Sequence, residues 1–363
     1  MLLDDSIPGR AAAIPHDTAR QVRSTGLVYV SDRQPGLTRR RVGDAFVYFH
    51  ASGKPVRSNA TLQRIRKLAI PPAYSDVWIC ADARGHLQAT GRDARGRKQY
   101  RYHAQWRAVR DAAKYDRLGA FADRLPALRA QVSADLALDG LPRRKVVAAL
   151  VRLLQVSLIR VGNEEYSRSN GSYGLTTLRN RHVRVRGETL RFDFRGKSGK
   201  FHSVELCDRR LARIVRQCQD LPGQRLFQFR DPDGAVQSIG SEDVNAYIRE
   251  FAGEEFSAKD FRTWAGTLLA ARALCAADAA SSDAERKARI VAAVAQVAAQ
   301  LGNTPSVCRN CYIHPAVLEA YAAGTLCLPR TPRSQSVAHL SAQERSLRRL
   351  LRIEERRRRA GKR

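Results

Sequence analysis

Six side chains spread between residues 160 and 312 are of the types that attack on a phosphodiester requires: Arg160, Lys197, Lys259, Arg262, Asn303 and Tyr312. They sit in four short segments, Leu158-Ile-Arg160-Val-Gly162, Phe194-Arg-Gly-Lys197-Ser-Gly-Lys200, Lys259-Asp-Phe-Arg262-Thr-Trp264 and the stretch from Asn303-Thr-Pro305 to Tyr312. Cleaving a phosphodiester without a metal takes a nucleophile in line with the leaving oxygen, cations on the non-bridging oxygens and an acid for the departing alkoxide. A phenol suits the first role, because it also leaves readily enough for a covalent step to reverse. A guanidinium can clamp two phosphoryl oxygens at once. Taken singly, each residue has a bland reading: a half-buried core tyrosine, a helix C-terminal arginine, a solvated hairpin lysine, a solvated first helical turn. It is the ordered set that points to chemistry.

The elements around these residues are readable. Thr304 and Pro305 are the expected N-cap and first residue of a short helix, and Pro315 ends or redirects it just beyond Tyr312, which places the phenol near a helix terminus. Arg160 follows an apolar helical run, and the neighbouring Gly162 would let a phosphate approach the backbone. Lys197 falls in a tight turn between two strands. Lys259 and Arg262, three residues apart, share one face of a helical turn and can address the same phosphate.

The 363 residues carry 64 Lys and Arg against 35 Asp and Glu, a formal net charge of +29, so the expected partner is a polyanion. Nucleic acid fits better than a membrane surface, because the Ala-rich segment over 291–299 lacks bulky apolar anchors. No apolar run approaches the roughly 20 residues that cross a bilayer, no secretory signal is seen at the start, and the expected compartment is the cytoplasm. Seven scattered cysteines do not form a secreted disulfide framework.

The expected fold class is α+β. A loose arm over 1–20 precedes a β-rich N-terminal domain over 21–112, with strands at 27–30, 45–49 and 77–80 and a helix at 61–68. A larger, mostly α-helical catalytic domain over 113–329 carries a three-stranded β-meander at 183–186, 190–194 and 201–206, followed by helices at 243–251, 261–276 and 284–301. A basic tail over 330–363 reads as a charged helix or a disordered arm.

With Gly174-Leu-Thr-Thr177-Leu-Arg-Asn-Arg-His182 and Gly91-Arg-Asp-Ala-Arg-Gly-Arg97-Lys98-Gln99-Tyr100-Arg-Tyr102 added, the ordered segments from about 62 to 318 resemble the type IB DNA topoisomerases, particularly the compact poxvirus and bacterial branch. The tyrosine recombinases, which share the catalytic domain, are a more distant likeness. The resemblance implies that Tyr312 is the nucleophile, Lys197 the general acid with help from Arg160, Arg160 and Arg262 the transition-state clamps, and Lys259 a supporting contact. Asn303 stands where the poxvirus pattern has histidine and its bacterial members have asparagine; an amide can donate to a non-bridging oxygen but carries no charge. Arg97, Lys98, Gln99, Tyr100 and Tyr102 interleave cations and phenols and are expected to contact DNA, as are Tyr166, Gly162 and Thr177.

The implied activity is nicking of one strand of double-stranded DNA held in a two-domain clamp, through a 3′-phosphotyrosyl bond. Supercoils of either sign then relax by swivelling, and the strand is rejoined without ATP, metal or other cofactor by a monomer at the nucleoid. A site-specific tyrosine recombinase is the alternative, opposed by the β-rich first domain and by Lys259 where recombinases often carry histidine. An architectural DNA binder is a second, for which charge alone would suffice. Cys308, Cys311 and His314 invite a zinc reading, but no second ligand pair lies near, and helix packing is the simpler account.

Overall fold

The structure is a computed structural model that describes residues 22–23, 25–94, 96–276, 281–329 and 339–360. The expected arm over 1–20 and the part of the tail over 330–338 lie outside the described residues. The chain divides into two compact units between Lys114 and Tyr115.

The first unit is built on a five-stranded antiparallel sheet of β1 (Leu37–Val42), β2 (Ala45–Phe49), β3 (Ser75–Ile79), β4 (Leu87–Arg92) and β5 (Lys98–Tyr102), in the order β2-β1-β3-β4-β5. Helix α1 (Asn59–Lys67), capped by the Ser58 side chain, presents Ile65 to a small core with Leu37, Val56, Val77, Ile79 and Ala89. Two expectations needed adjusting. Residues 27–30 make only an isolated bridge, Val28 with Gly85, and no strand. Conversely, Leu37–Val42 is a strand although Arg39, Arg40 and Arg41 run through it. Arg39 is accommodated because its guanidinium donates to the carbonyls of Pro71 (3.1 Å) and Tyr74 (2.6 Å) and lies 4.1 Å from the Phe46 ring centroid.

Helix α2 (Ala104–Asp116) leads into the second unit, which is mostly helical. Its core gathers α3 (Leu118–Asp135) and α4 (Arg143–Ser157) with α7 (Ser241–Ala252) and α8 (Ala258–Ala276), and these contribute fully buried residues such as Phe121, Leu125, Leu150, Leu153, Ile248 and Ala270. Short α5 (Glu164–Asn170) and α6 (Arg209–Gln219) flank the meander β6 (Val183–Arg186), β7 (Thr189–Arg195), β8 (Phe201–Cys207), paired in that order. A small hairpin, β9 (Gln228–Arg230) and β10 (Val236–Ser238), was not foreseen. The remaining helices are α9 (Asp283–Leu301), capped by the Ser282 side chain as the Ser281-Ser-Asp turn suggests, α10 (Pro305–Cys311), α11 (Pro315–Ala322) and α12 (Ala342–Ala360). The architecture is the α+β arrangement expected. Among the described residues no helix is long and apolar enough to cross a membrane, and no group of three or more His, Cys, Asp or Glu side chains is placed to hold a metal ion.

Candidate active site

Four segments of the second unit converge on one cleft, lined by Leu158, Arg160, Phe194, Gly196, Lys197, His202, Arg262 and Leu301 among others. Each wall has a local cause. Helix α4 ends at Leu158, whose left-handed backbone (φ 59°) stops the helix and turns Ile159 and Arg160 toward the cleft. This is an uncommon conformation for a branched residue, and it is held by Arg262, whose guanidinium donates to the Leu158 carbonyl.

Arg262, on the second turn of α8, is only 5% exposed. It also donates to the Leu301 carbonyl at 2.7 Å. It therefore binds the C-terminal ends of α4 and α9, where helix dipoles leave partial negative charge. Burial is the largest influence on its pKa, which with the repulsion of Arg160 falls to about 10 against the opposing pull of Tyr312. The group remains a cation at neutral pH, and two of its five N–H donors are engaged by backbone.

Asn303 is placed by the end of α9. Gly302 takes the left-handed cap (φ 60°), and the Gly302 and Asn303 amides fold back onto the Ala299 and Ala298 carbonyls at 3.1 and 2.9 Å. Its side-chain Oδ1 then accepts from Arg160 Nη2 at 2.6 Å. The amide Nδ2 is buried without a protein partner, a donor held ready for an acceptor that the chain does not supply.

Tyr312 closes α10. Thr304 caps that helix by accepting from the Val307 amide, and Pro305 fills its first position, as expected. Pro315 redirects the chain by starting α11, with His314 as the cap. The half-buried Tyr312 ring lies 5.3 Å from Arg262 Cζ. Its backbone rests on α8: the Thr267 hydroxyl lies 3.3 Å from the Tyr312 carbonyl, and a Cβ on Gly266 would stand 2.6 Å from that oxygen. Thus Arg262 and Gly266, one turn apart on α8, provide the ring contact and the room for the backbone. Gly266 and Thr267 were not singled out from sequence, although their spacing from Arg262 is a readable signal.

Lys197 lies in the single 3₁₀ turn between β7 and β8, exposed at the rim of the cleft. Beneath it is His202, which sequence reasoning missed. Its imidazole stacks on Phe194 (5.3 Å between centroids, 12° between planes) and fills the space left by two glycines. A Cβ on Gly196 would stand 2.6 Å from His202 Cδ2, and one on Gly302 would collide with His202 Cε1. His202 thus wedges the lysine turn against the turn that carries Asn303. Burial, then Arg160, Arg262 and Lys200, lower its pKa, which favours the neutral ring.

The other expected residues are distributed as follows. Lys259 is exposed on the first turn of α8 and does not line the cleft, while Arg262 on the same helix is buried. Gly162 (φ +108°) has Thr176 Oγ1, the Gly174 carbonyl carbon and Thr177 Oγ1 where its side chain would stand, so its glycine character serves packing against the 174–177 turn. Thr177 is buried, and its hydroxyl both donates to the Gly174 carbonyl and accepts from the Gly174 amide. Tyr166 is 50% exposed on α5. In the first unit, Arg97 pairs with Asp93 at 2.6 Å, Gln99 donates to the same carboxylate, and Lys98 pairs with Asp32. Tyr100, 48% exposed, stacks on Tyr102. Cys308 is buried, with burial pushing its thiol up to about 11, and Cys311 is half-buried.

Arg160, Lys197 and the buried Arg262 line one cleft, and Asn303 and Tyr312, which are not among its lining residues, join it through Arg160 and Arg262 respectively. These are groups of the types phosphoryl transfer uses, and the comparisons with known proteins agree. Residues 103–327, more than half of the chain, match the family model of the eukaryotic DNA topoisomerase I catalytic core, and residues 45–93 match that of the bacterial DNA topoisomerase IB N-terminal domain. The DNA topoisomerase 1B of Acanthamoeba polyphaga mimivirus is 32% identical over 79% of this chain and 87% of its own length. The DNA topoisomerase 1B of vaccinia virus (strain Copenhagen) is 22% identical over 72% of this chain and 82% of its own, and the DNA topoisomerase I of monkeypox virus matches to the same extent. The chain belongs to the type IB DNA topoisomerase family. Neither a recombinase nor an architectural binder is favoured by these matches.

Proposed function

We propose that the cleft relaxes supercoiled duplex DNA through transient nicking by Tyr312. The Tyr312 hydroxyl attacks a backbone phosphorus; the new bond is Oη–P, the bond broken is P–O5′, and the phenolic proton passes to solvent. The product is a 3′-phosphotyrosyl end and a free 5′-hydroxyl, whose proton comes from Lys197 at the cleft rim. Arg160, Arg262 and the unpartnered Nδ2 of Asn303 face the negative charge that builds on the non-bridging oxygens. After the broken strand swivels, the 5′-hydroxyl attacks the phosphotyrosine and the steps reverse. Because the bond energy is kept in the phosphotyrosine, no ATP is consumed and supercoils of both signs relax.

The observation that supports this reading is the Tyr312 ring, whose centroid is 5.3 Å from the buried Arg262 guanidinium, a cation that also lines the cleft with Arg160 and Lys197. All of these groups come from one chain, which supports action as a monomer, here on DNA of the nucleoid. The exposed Tyr166 and Tyr100, with the first unit's Arg97 to Tyr102 segment, are proposed to contact the flanking duplex, and the exposed Lys259 to add a peripheral phosphate contact. Thr177 and Gly162 would act by shaping the turn beside Arg160.

The test is to stop a reaction on end-labelled duplex with detergent. Label at the 5′ end of the cleaved strand, upstream of the break, should migrate with wild-type protein and not with Tyr312→Phe, and the 5′-hydroxyl of the downstream fragment should be a substrate for a 5′-kinase. An adduct on the 5′ end, or one that survives in Tyr312→Phe, contradicts the proposal.

A further inference from the structure

Tyr312 lies in the turn between α10 and α11, helices of only seven and eight residues. Helices this short do not hold themselves in water, so contacts from outside decide where the phenol stands. Thr267 and Gly266 of α8 supply one set, at the Tyr312 carbonyl. A second comes from Tyr115, in the last turn of α2. Tyr115 is 6% exposed, its hydroxyl donates to the Asn310 carbonyl at 2.9 Å, and its ring meets His314 edge-on, with 5.1 Å between centroids.

Asn310 stands two residues before Tyr312 and His314 two residues after it, so one phenol grips the chain on both sides of the other. The Asn310 carbonyl belongs to the last turn of α10, where carbonyls lack partners within the helix, and Tyr115 satisfies it from 195 residues away. His314 is fixed as well: it is 4% exposed, its amide donates to the Thr267 hydroxyl at 3.1 Å, and its Nδ1 accepts from the Ala316 amide at 3.1 Å. Tyr115 itself stands on an anchored stretch. Two residues on, Arg117 donates to Asp260 at 3.1 Å, and the other oxygen of that buried carboxylate accepts from the Ser257 amide at 2.9 Å, at the start of the helix of Arg262. Tyr115 does not line the cleft, so what it does for the chemistry passes through the turn it holds.

We propose that Tyr115 is a positioning residue for the nucleophile: its hydroxyl fixes the Asn310 carbonyl, and with it the direction in which the Tyr312 phenol leaves the backbone. The inference rests on the reading of Tyr312 as the attacking group. Such a role has its own kinetic mark. Before the nick, Tyr115 confines a phenol that would otherwise sample other poses; after the nick, the bond to phosphorus confines it, and the attacking group is the 5′-hydroxyl. Tyr115 therefore assists cleavage more than religation. Loss of a cation or acid that acts in the transition state slows both directions together, because the two directions share that state.

The test is single-turnover cleavage and religation of an end-labelled duplex by the full chain, comparing wild type with Tyr115→Phe, which keeps the ring on His314 and removes only the hydroxyl. The variant should cleave about tenfold more slowly, the scale of one lost hydrogen bond, while religation and duplex affinity stay within about twofold of wild type. The covalent fraction at equilibrium should fall with the cleavage rate. A variant that cleaves at the wild-type rate, whatever its stability, or one whose cleavage and religation slow by the same factor, would overturn the assignment. If wild type formed no covalent complex, the reading of Tyr312 as nucleophile would fall and this inference with it. A wild-type adduct beside an unaltered Tyr115→Phe variant would remove the inference alone.

Discussion

Arg160 and Asn303, 143 residues apart in sequence, meet through a 2.6 Å hydrogen bond from Nη2 to Oδ1. The bond fixes the orientation of the Asn303 amide, because an oxygen held by a guanidinium leaves the nitrogen as the free donor, and that nitrogen has no protein partner. In the proposed reaction Asn303 would act as an uncharged extension of Arg160 toward a phosphoryl oxygen.

Asn303→Ala should slow single-turnover cleavage by about 100- to 1,000-fold, the usual cost of one transition-state donor, while changing duplex affinity far less. Asn303→His should keep activity. An Ala variant with the wild-type rate would remove the phosphate contact assigned to Asn303.

Lys197→Ala should lower the cleavage rate by about 100- to 10,000-fold, in the range of general-acid loss, with a much smaller effect on binding. Equal losses in rate and affinity would make Lys197 an electrostatic contact and not a proton donor.

His202 predicts a particular pH response. Burial and the three neighbouring cations lower its pKa in the folded state, so an unfolded chain binds the proton more readily. Stability should fall as pH drops from about 6.5 toward the folded pKa and level off below it. His202→Phe, which keeps a ring between Gly196 and Gly302, should reduce that slope, to which His86 and His182, also lowered by burial, contribute as well, and should retain cleavage. His202→Ala should loosen both turns and slow cleavage. A His202→Phe variant that keeps the full wild-type slope over the same window would contradict the assignment.

The sequence was most legible where local rules decide. Thr304 and Pro305 announce α10, Ser282 announces α9, and the alternation in the meander marks three strands, because capping and period-2 patterning are properties of adjacent residues. The groups of the cleft were legible as types, but their contacts were not. Nothing near Leu158 in sequence indicates that its carbonyl will be held by Arg262, and nothing near Gly302 indicates that His202 will need its space. Lys259 and Arg262 were read as one face, yet α8 buries the one and exposes the other. Gly162 was read as room for a phosphate, but its space is taken by the 174–177 turn. A strand that contains three consecutive arginines was invisible because the carbonyls that receive Arg39 lie more than thirty residues away.

Glu344 should govern the docking of α12. Burial alone would raise its pKa, but the hydrogen bond and charge of Arg129, with Ser341 and Trp264, bring it down to about 2. Its contribution, on the order of 3 kcal/mol, is present above about pH 4.5 and lost as pH falls toward 2. Glu344→Gln should lower Tm by roughly 5–10 °C at neutral pH, since Arg129 is left buried without a counter-charge, and flatten the acid dependence between those values. An unchanged Tm would show that the pair does not hold the helix.

The most direct test of the central claim is relaxation of negatively and positively supercoiled plasmid by wild type and Tyr312→Phe, in EDTA and without ATP. Relaxation of both signs by wild type and of neither by Tyr312→Phe is the predicted result. Failure of wild type to relax either plasmid, or relaxation by Tyr312→Phe, would contradict a reversible nick made by Tyr312.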